Sequence, residues 1–231
     1  MTESDQLKLH YELREAEVSD SGKPVVFTAG WLNTSSVWAT TVAELEGSGR
    51  TLTWDKRGHG QSEAAPPGQY GRHYALADLD RMIDIAGSPA ILVGHSLGGY
   101  LSLAHAILRP ERVAGLVLVA AGPGFRSTNS LEEWNDSVHK MAAKADNVPE
   151  GMEEISMHVD SMVIDRLDEI KVPVITVIGE RDKRFLASAD VFDKHLDVQQ
   201  RIVVPDAGHM VHVKHGTVVA EAVKTLIAAL R

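Results

Sequence analysis

The sequence contains no cysteine among its 231 residues. Disulfides, thiolate metal sites and a cysteine nucleophile are therefore excluded, and a reducing compartment is compatible with the composition. Basic residues are also in deficit, since 23 Lys and Arg stand against 32 Asp and Glu, for a formal net charge of -9. Because nucleic-acid phosphates are bound by clustered Lys and Arg, we expect no nucleic-acid partner.

Long apolar runs are absent as well. The longest, Ala114 to Ala121, is far too short to span a membrane, and Met1 to Lys8 lacks the apolar core of an export signal. A cytoplasmic protein with no membrane partner is the expectation. No repeat, low-complexity segment or Pro/Gly/Ser-rich linker divides the chain, so we expect a single domain over residues 1–231, either as a monomer or as a homodimer.

What the sequence does contain is an alternation of short apolar runs with segments of helical periodicity. Apolar runs without polar alternation belong to strands that are covered on both faces, as in a parallel sheet flanked by helices. Leu7 to Leu13 alternates instead, which is typical of an antiparallel edge strand. The pattern predicts a doubly wound, mostly parallel α/β sheet. The short apolar runs that we expect to form strands are Val25–Ala29, Thr51–Trp54, Ala90–Val93, Val113–Ala120, Val172–Ile178 and Arg201–Val204.

One stretch interrupts this alternation with helical material only. Residues 123–167 contain two amphipathic segments, Leu131 to Ala145 and Met152 to Leu167, and no strand-like run. We interpret them as a short helical cap inserted between two strands. The methionines of this stretch suit either an adaptable surface or simple packing of the cap onto the core.

The strongest chemical signal is the segment Gly94 to Gly99, which reads GHSLGG and follows a buried run. A serine on a sharp turn from strand to helix needs small neighbours two positions away, and the glycines supply them. The pattern predicts Ser96 as a nucleophile. The alternative is a glycine-rich turn whose serine only caps the helix.

A serine nucleophile needs a base and an acid that orients it. His209 follows the last predicted strand, and Asp182 follows the strand before it. Both positions lie where reactive groups gather in an open α/β sheet. Glu180 and Asp206 are rival acids, but the chain order of serine, acid and histidine in hydrolases with such a serine turn is that of Ser96, Asp182 and His209.

Two further sets of residues complete the candidate site. The backbone N–H groups of Leu97 and Trp31 are expected to bind an oxyanion, and Trp31, His95 and Met210 are expected to contact the substrate. The spacing of the histidines from position 209 onward is not that of a helical metal site, so no metal is expected. His212 and His215 are therefore expected to be solvated at the start of a helix that spans Val211 to Leu230.

The sequence resembles the α/β-hydrolase superfamily over nearly its whole length, in the branch of serine esterases, lactonases and haloperoxidases. The resemblance is carried by Ala29 to Trp31, Asp55 to Ser62, Gly94 to Gly99, Gly179 to Asp182 and Gly208-His209. Ala29 replaces a histidine that is usual before the oxyanion loop. Because the donor there is the N–H of Trp31, the resemblance still implies an intact oxyanion hole.

These observations predict a hydrolase of a small carboxylic ester or lactone that acts without metal or organic cofactor. Thioester or carbon–carbon bond hydrolysis would use the same groups. A rival interpretation is cofactor-free oxygen or lyase chemistry, in which histidine and aspartate abstract a proton and the serine only positions the substrate. A non-catalytic ligand-binding relative is disfavoured because all three residues are present.

Overall fold

The structure, a computed structural model, describes residues 7–15 and 22–231. It contains a seven-stranded sheet of order β1-β3-β2-β4-β5-β6-β7, parallel except for β1, which pairs antiparallel with β3. This confirms the predicted α/β fold and the antiparallel edge. The strands are β1 Tyr11–Arg14, β2 Val25–Thr28, β3 Thr51–Trp54, β4 Ala90–His95, β5 Val113–Val119, β6 Val174–Gly179 and β7 Val198–Val204.

The inner strands are apolar on both sides because each side faces a separate core. Along β4, Ile91 and Val93 belong to one hydrophobic cluster, while Leu92 belongs to the other. β4 and β6 are buried at every position, whereas the edge strand β1 is mostly exposed. Period-two alternation therefore cannot mark the inner strands in sequence.

Within the described ranges, eight α-helices cover the sheet, and short 3₁₀ turns join several of them. α2 and α3 bury their apolar faces in one core, and α1 and α8 bury theirs in the other. No helix of residues 7–15 and 22–231 is long and apolar enough to cross a membrane. The helices are α1 Ala39–Ala43, α2 Arg72–Ala86, α3 Leu97–Leu108, α4 Thr128–Ala142, α5 Met162–Asp165, α6 Lys183–His195, α7 Val211–Lys214 and α8 Gly216–Ala229.

The segment between β5 and β6 is less helical than its periodicity predicts. α4 forms close to the expected place, but the expected second helix is reduced to a 3₁₀ turn at Met152–Ser156 and the four-residue α5. The backbone between these pieces bonds to side chains of α4 instead. Trp134 Nε1 donates to the Ser156 carbonyl at 2.8 Å, and Asn135 bonds both backbone polar groups of His158 at 2.9 Å.

Candidate active site

The turn between β4 and α3 holds Ser96 in a backbone conformation that L-residues rarely adopt. Its φ is +51° and its ψ is -115°. A Cβ on Gly98 would lie 2.0 Å from the Thr28 carbonyl oxygen, and one on Gly94 would lie 2.4 Å from the Gly98 backbone. The strand, the turn and the helix approach so closely that these two glycines cannot be replaced without moving backbone. The packing therefore fixes the backbone position from which the Ser96 side chain projects.

Asp182 and His209 meet beyond the carboxyl ends of β6 and β7. His209 Nδ1 lies 2.7 Å from Asp182 Oδ2, and Asp182 is only 7% exposed. The rival acids are engaged elsewhere. Asp206 is exposed and pairs with Arg181, and Glu180 accepts the backbone N–H of Asp206 at 3.0 Å. Of the three acids, Asp182 is the one that the fold brings to the imidazole.

The imidazole of His209 is held by an aromatic neighbour as well as by the carboxylate. The ring of Phe185 stacks on it with centroids 4.8 Å apart and planes inclined by 21°. Ser96 lines the cleft that Phe185 also lines. Within the described ranges, no hydrogen bond joins Ser96 to His209. In free enzymes such bonds are often long and tighten only when substrate binds.

The two N–H groups that were expected to bind an oxyanion make no hydrogen bond to the described part of the protein. Neither Trp31 N–H nor Leu97 N–H donates to an acceptor within residues 7–15 and 22–231. The buried Lys56 Nζ donates to the Gly30 carbonyl at 3.0 Å and to the Asn33 carbonyl at 3.3 Å. In a trans peptide the carbonyl of one residue and the N–H of the next point in opposite directions. Lys56 therefore fixes the plane from which Trp31 N–H projects.

His95 and His212 are placed differently from the expectation. His95 is 1% exposed, its Nε2 lies 3.0 Å from the His209 carbonyl oxygen, and a Cβ on Gly30 would lie 2.6 Å from its Nδ1. It lies beneath the site and does not line the cleft, so the structure does not support the expected substrate contact. His212 is fully buried between His95 and Trp38, which corrects the expectation of a solvated residue.

The correction for His212 has a simple cause. The expected long helix from Val211 is broken at His215, and the four-residue α7 turns His212 towards the core. Burial lowers the pKa of His212 to about 4 and that of His95 well below its ordinary value. Both rings are therefore neutral at physiological pH.

A cleft beside Ser96 and Leu97 encloses about 70 Å³. Trp31 and Met210, which were expected to contact substrate, are not among the described residues that line it. Its walls come from α3, α6 and the segment between β5 and β6, and no sequence motif marked them. The larger side chains there are Tyr100, Phe125, Trp134, His158, Arg184 and Phe185.

Burial also sets the charge of groups around the site. It lowers the pKa of Lys56 from 10.5 to about 7, with nearby Asp55 opposing the shift. It lowers the pKa of His158 to about 4 and raises that of the Tyr100 phenol. Around neutral pH the imidazole and the phenol that line the cleft are therefore uncharged.

Two curated proteins of known sequence are similar to this chain. A putative 2-succinyl-6-hydroxy-2,4-cyclohexadiene-1-carboxylate synthase of Bacillus subtilis (strain 168) is 25% identical, over 93% of each chain. A pimeloyl-acyl-carrier-protein methyl ester esterase of Nitrosospira multiformis is 28% identical over 54% of this chain, and the match spans 47% of the esterase.

The structural likeness extends over nearly the whole chain. An enol-lactonase from Burkholderia xenovorans LB400 superposes with a TM-score of 0.77 at 21% identity, over 96% of this chain and 97% of its own. At that level of identity the likeness shows the fold alone. A sequence model of the alpha/beta hydrolase fold matches residues 23–155, more than half of the chain. The chain therefore belongs to the α/β-hydrolase fold family.

Proposed function

We propose that the protein is a serine hydrolase that cleaves a carboxylic ester or lactone of a small organic substrate. The observation that carries the proposal is the 2.7 Å contact between His209 and Asp182 at the sheet edge where the strained turn presents Ser96. His95, the residue before Ser96, lies 3.0 Å from the His209 carbonyl oxygen through its Nε2, and Phe185, which stacks on His209, lines the same cleft as Ser96. Such convergence of a hydroxyl, an imidazole and a carboxylate suits nucleophilic acyl transfer.

The proposed reaction has two halves. Ser96 Oγ attacks the carbonyl carbon while His209 Nε2 takes the hydroxyl proton, and the Asp182 carboxylate stabilises the imidazolium. The N–H groups of Leu97 and Trp31 bind the oxyanion of the tetrahedral intermediate. The intermediate collapses by breaking the bond to the leaving oxygen, which receives the proton from His209. Water, deprotonated by His209, then attacks the acyl-enzyme. The bond to Ser96 Oγ breaks, His209 returns its proton to that oxygen, and the acid is released.

The names of similar proteins support acyl chemistry of this kind. The Nitrosospira relative is named a methyl ester esterase, and the Burkholderia neighbour is named an enol-lactonase. The matches do not choose between an ester and a lactone as the substrate of this chain. We therefore keep both, together with the thioester and carbon–carbon bonds that the same groups can cleave.

Steady-state hydrolysis tests the proposal. A panel of p-nitrophenyl esters of rising acyl length and a set of lactones are assayed with the wild type and with Ser96→Ala. We expect hydrolysis of at least one class by the wild type and its loss in the variant, with the same circular dichroism spectrum. Equal rates for the two proteins would overturn the nucleophilic role of Ser96.

A second candidate is lyase chemistry, in which His209 and Asp182 abstract a proton and Ser96 binds the substrate. It is favoured by the relative that matches over 93% of both chains, since that protein is named a synthase and not an ester hydrolase. A base of this kind needs no covalent intermediate. Trapping of an acyl-enzyme at Ser96 during ester turnover therefore distinguishes the two candidates.

A further inference from the structure

Arg184 brings a positive charge to the cleft beside Ser96. Its guanidinium carbon lies 4.9 Å from the ring centroid of Trp134, and within residues 7–15 and 22–231 it forms no ion pair. Other arginines around the site are already neutralised. Arg72 makes a bidentate pair with Asp160 at 2.7 and 2.6 Å, and Arg181 pairs with Asp206.

The position of Arg184 is set from two sides. The next residue along α6, Phe185, stacks on His209, so the start of this helix is packed against the imidazole. On the other side, Trp134 is held by its hydrogen bond to the Ser156 carbonyl at 2.8 Å. The guanidinium therefore lies over a fixed ring at the wall of the cleft, between the imidazole and the segment that follows β5.

A neutral ring nitrogen accompanies this cation. His158 is 9% exposed, contacts Tyr100 edge to face at 4.4 Å, and has its backbone held by Asn135. Its Nδ1 is buried without a partner among the described residues, so Nε2 is the nitrogen open to the cleft. A buried lone pair costs less than a buried N–H without an acceptor. We therefore assign the proton to Nε2, which can donate to a ligand.

The described lining of the cleft includes no carboxylate, so nothing offsets the charge of Arg184 there. The chain as a whole carries a net charge of -9, so the positive charge at this cleft stands against an acidic background. Guanidinium groups bind carboxylates through paired, charge-assisted hydrogen bonds. We propose, on the basis of the proposed ester hydrolysis, that the substrate is an ester whose acyl chain ends in a carboxylate, bound by Arg184 and His158.

Three p-nitrophenyl esters of equal acyl length test this inference: the monoadipate with a carboxylate end, the hexanoate with a methyl end and the aminohexanoate with an ammonium end. We expect kcat/KM to fall in that order. A charge-assisted contact at a partly solvated site predicts a preference of about tenfold for the monoadipate over the hexanoate at low salt. The preference should shrink as salt is added.

Variants locate the preference. Arg184→Gln is expected to bring the ratio of monoadipate to hexanoate near one, and Arg184→Lys to keep part of it. Lys183→Gln removes the same charge from the adjacent exposed residue and should leave the ratio unchanged. His158→Phe keeps a ring among the aromatic neighbours, and it should lower the ratio by raising KM for the monoadipate.

The outcomes separate this inference from the function on which it rests. A wild-type ratio of one or less, or equal effects of Arg184→Gln and Lys183→Gln, overturns the carboxylate site while hexanoate hydrolysis keeps the hydrolase assignment. If a folded wild-type protein hydrolyses none of the three esters, the carboxylate inference fails. The proposed function fails with it only if the wider panel of esters and lactones is not hydrolysed either and no acyl-enzyme is trapped.

Discussion

The carboxylate of Asp182 meets the imidazole of His209 at 2.7 Å across 27 residues of sequence. Because Asp182 is almost fully buried, its charge is stabilised there by the His209 ring more than by water. The Asp182 carboxylate can only accept a hydrogen bond, and it lies at Nδ1 of His209. Nδ1 therefore carries the proton of the neutral ring, and Nε2 is free to accept one. This arrangement is the one that the proposed role of His209 as a base requires.

Replacing Asp182 by Asn should leave the fold intact and lower kcat by roughly 10⁴-fold, because the amide stabilises the wrong tautomer. Steady-state ester hydrolysis measures the effect. The matched control is Glu180→Gln, at the exposed acid that accepts the backbone N–H of Asp206. If both variants lose activity equally, Asp182 has no special relation to the imidazole.

Gly98→Ala should destabilise the protein by about 3 kcal/mol or more, because its Cβ would meet the Thr28 carbonyl at 2.0 Å and force backbone apart. Gly208→Ala is the control, since nothing lies within 4 Å of a Cβ there. Urea denaturation compares the two free energies of unfolding. Equal stabilities would mean that the turn around Ser96 is not tightly packed.

Lys56→Met should lower kcat about tenfold with little change in KM. Loss of the bond to the Gly30 carbonyl releases the peptide plane that aims Trp31 N–H, and removal of an oxyanion donor outright costs about 3 to 4 kcal/mol. Lys224→Met makes the same substitution on α8, where the lysine pairs with Glu221, and serves as the control. An effect confined to KM would place Lys56 outside the support of the transition state.

The buried His212 should make the protein less stable in acid. The folded chain keeps this ring neutral down to about pH 4, whereas an unfolded chain protonates it near 6.5. The unfolded state therefore binds more protons in this window, and stability falls as pH drops through it. The contribution of one such ring is on the order of 3 kcal/mol.

Replacing His212 by Phe should flatten the fall in free energy of unfolding between pH 6.5 and 4, measured by urea denaturation at several pH values. His73→Phe, at an exposed position, is the control and should leave the slope unchanged. If burial of the His212 ring causes the loss of stability in acid, the dependence of the free energy of unfolding on pH must be weaker in His212→Phe than in His73→Phe.

The strands and the sharp turn at Ser96 were predictable because their signals are local. Buried apolar runs mark β4 and β6, and Gly94 and Gly98 mark the sharp turn. The choice of Asp182 over its neighbours needed the order of catalytic residues in related hydrolases, because periodicity does not show which acid of a turn faces inward.

Other features depend on contacts that no local pattern contains. His212 was expected in solvent because its segment was interpreted as one long amphipathic helix, and the break at His215 turns it inward. His158 and Arg184 lie on separate segments that meet only in the folded chain. Residues that line a cleft from such segments carry no motif, so the cleft emerged only from the structure.

Covalent labelling with a fluorophosphonate tests the central claim most directly. The reagent phosphonylates a serine that a neighbouring base activates, and mass spectrometry of the digested protein locates the adduct. The account predicts one adduct, on the peptide that contains Ser96, and its absence in His209→Ala. A folded wild-type protein without this adduct, or with equal labelling in His209→Ala, would contradict it.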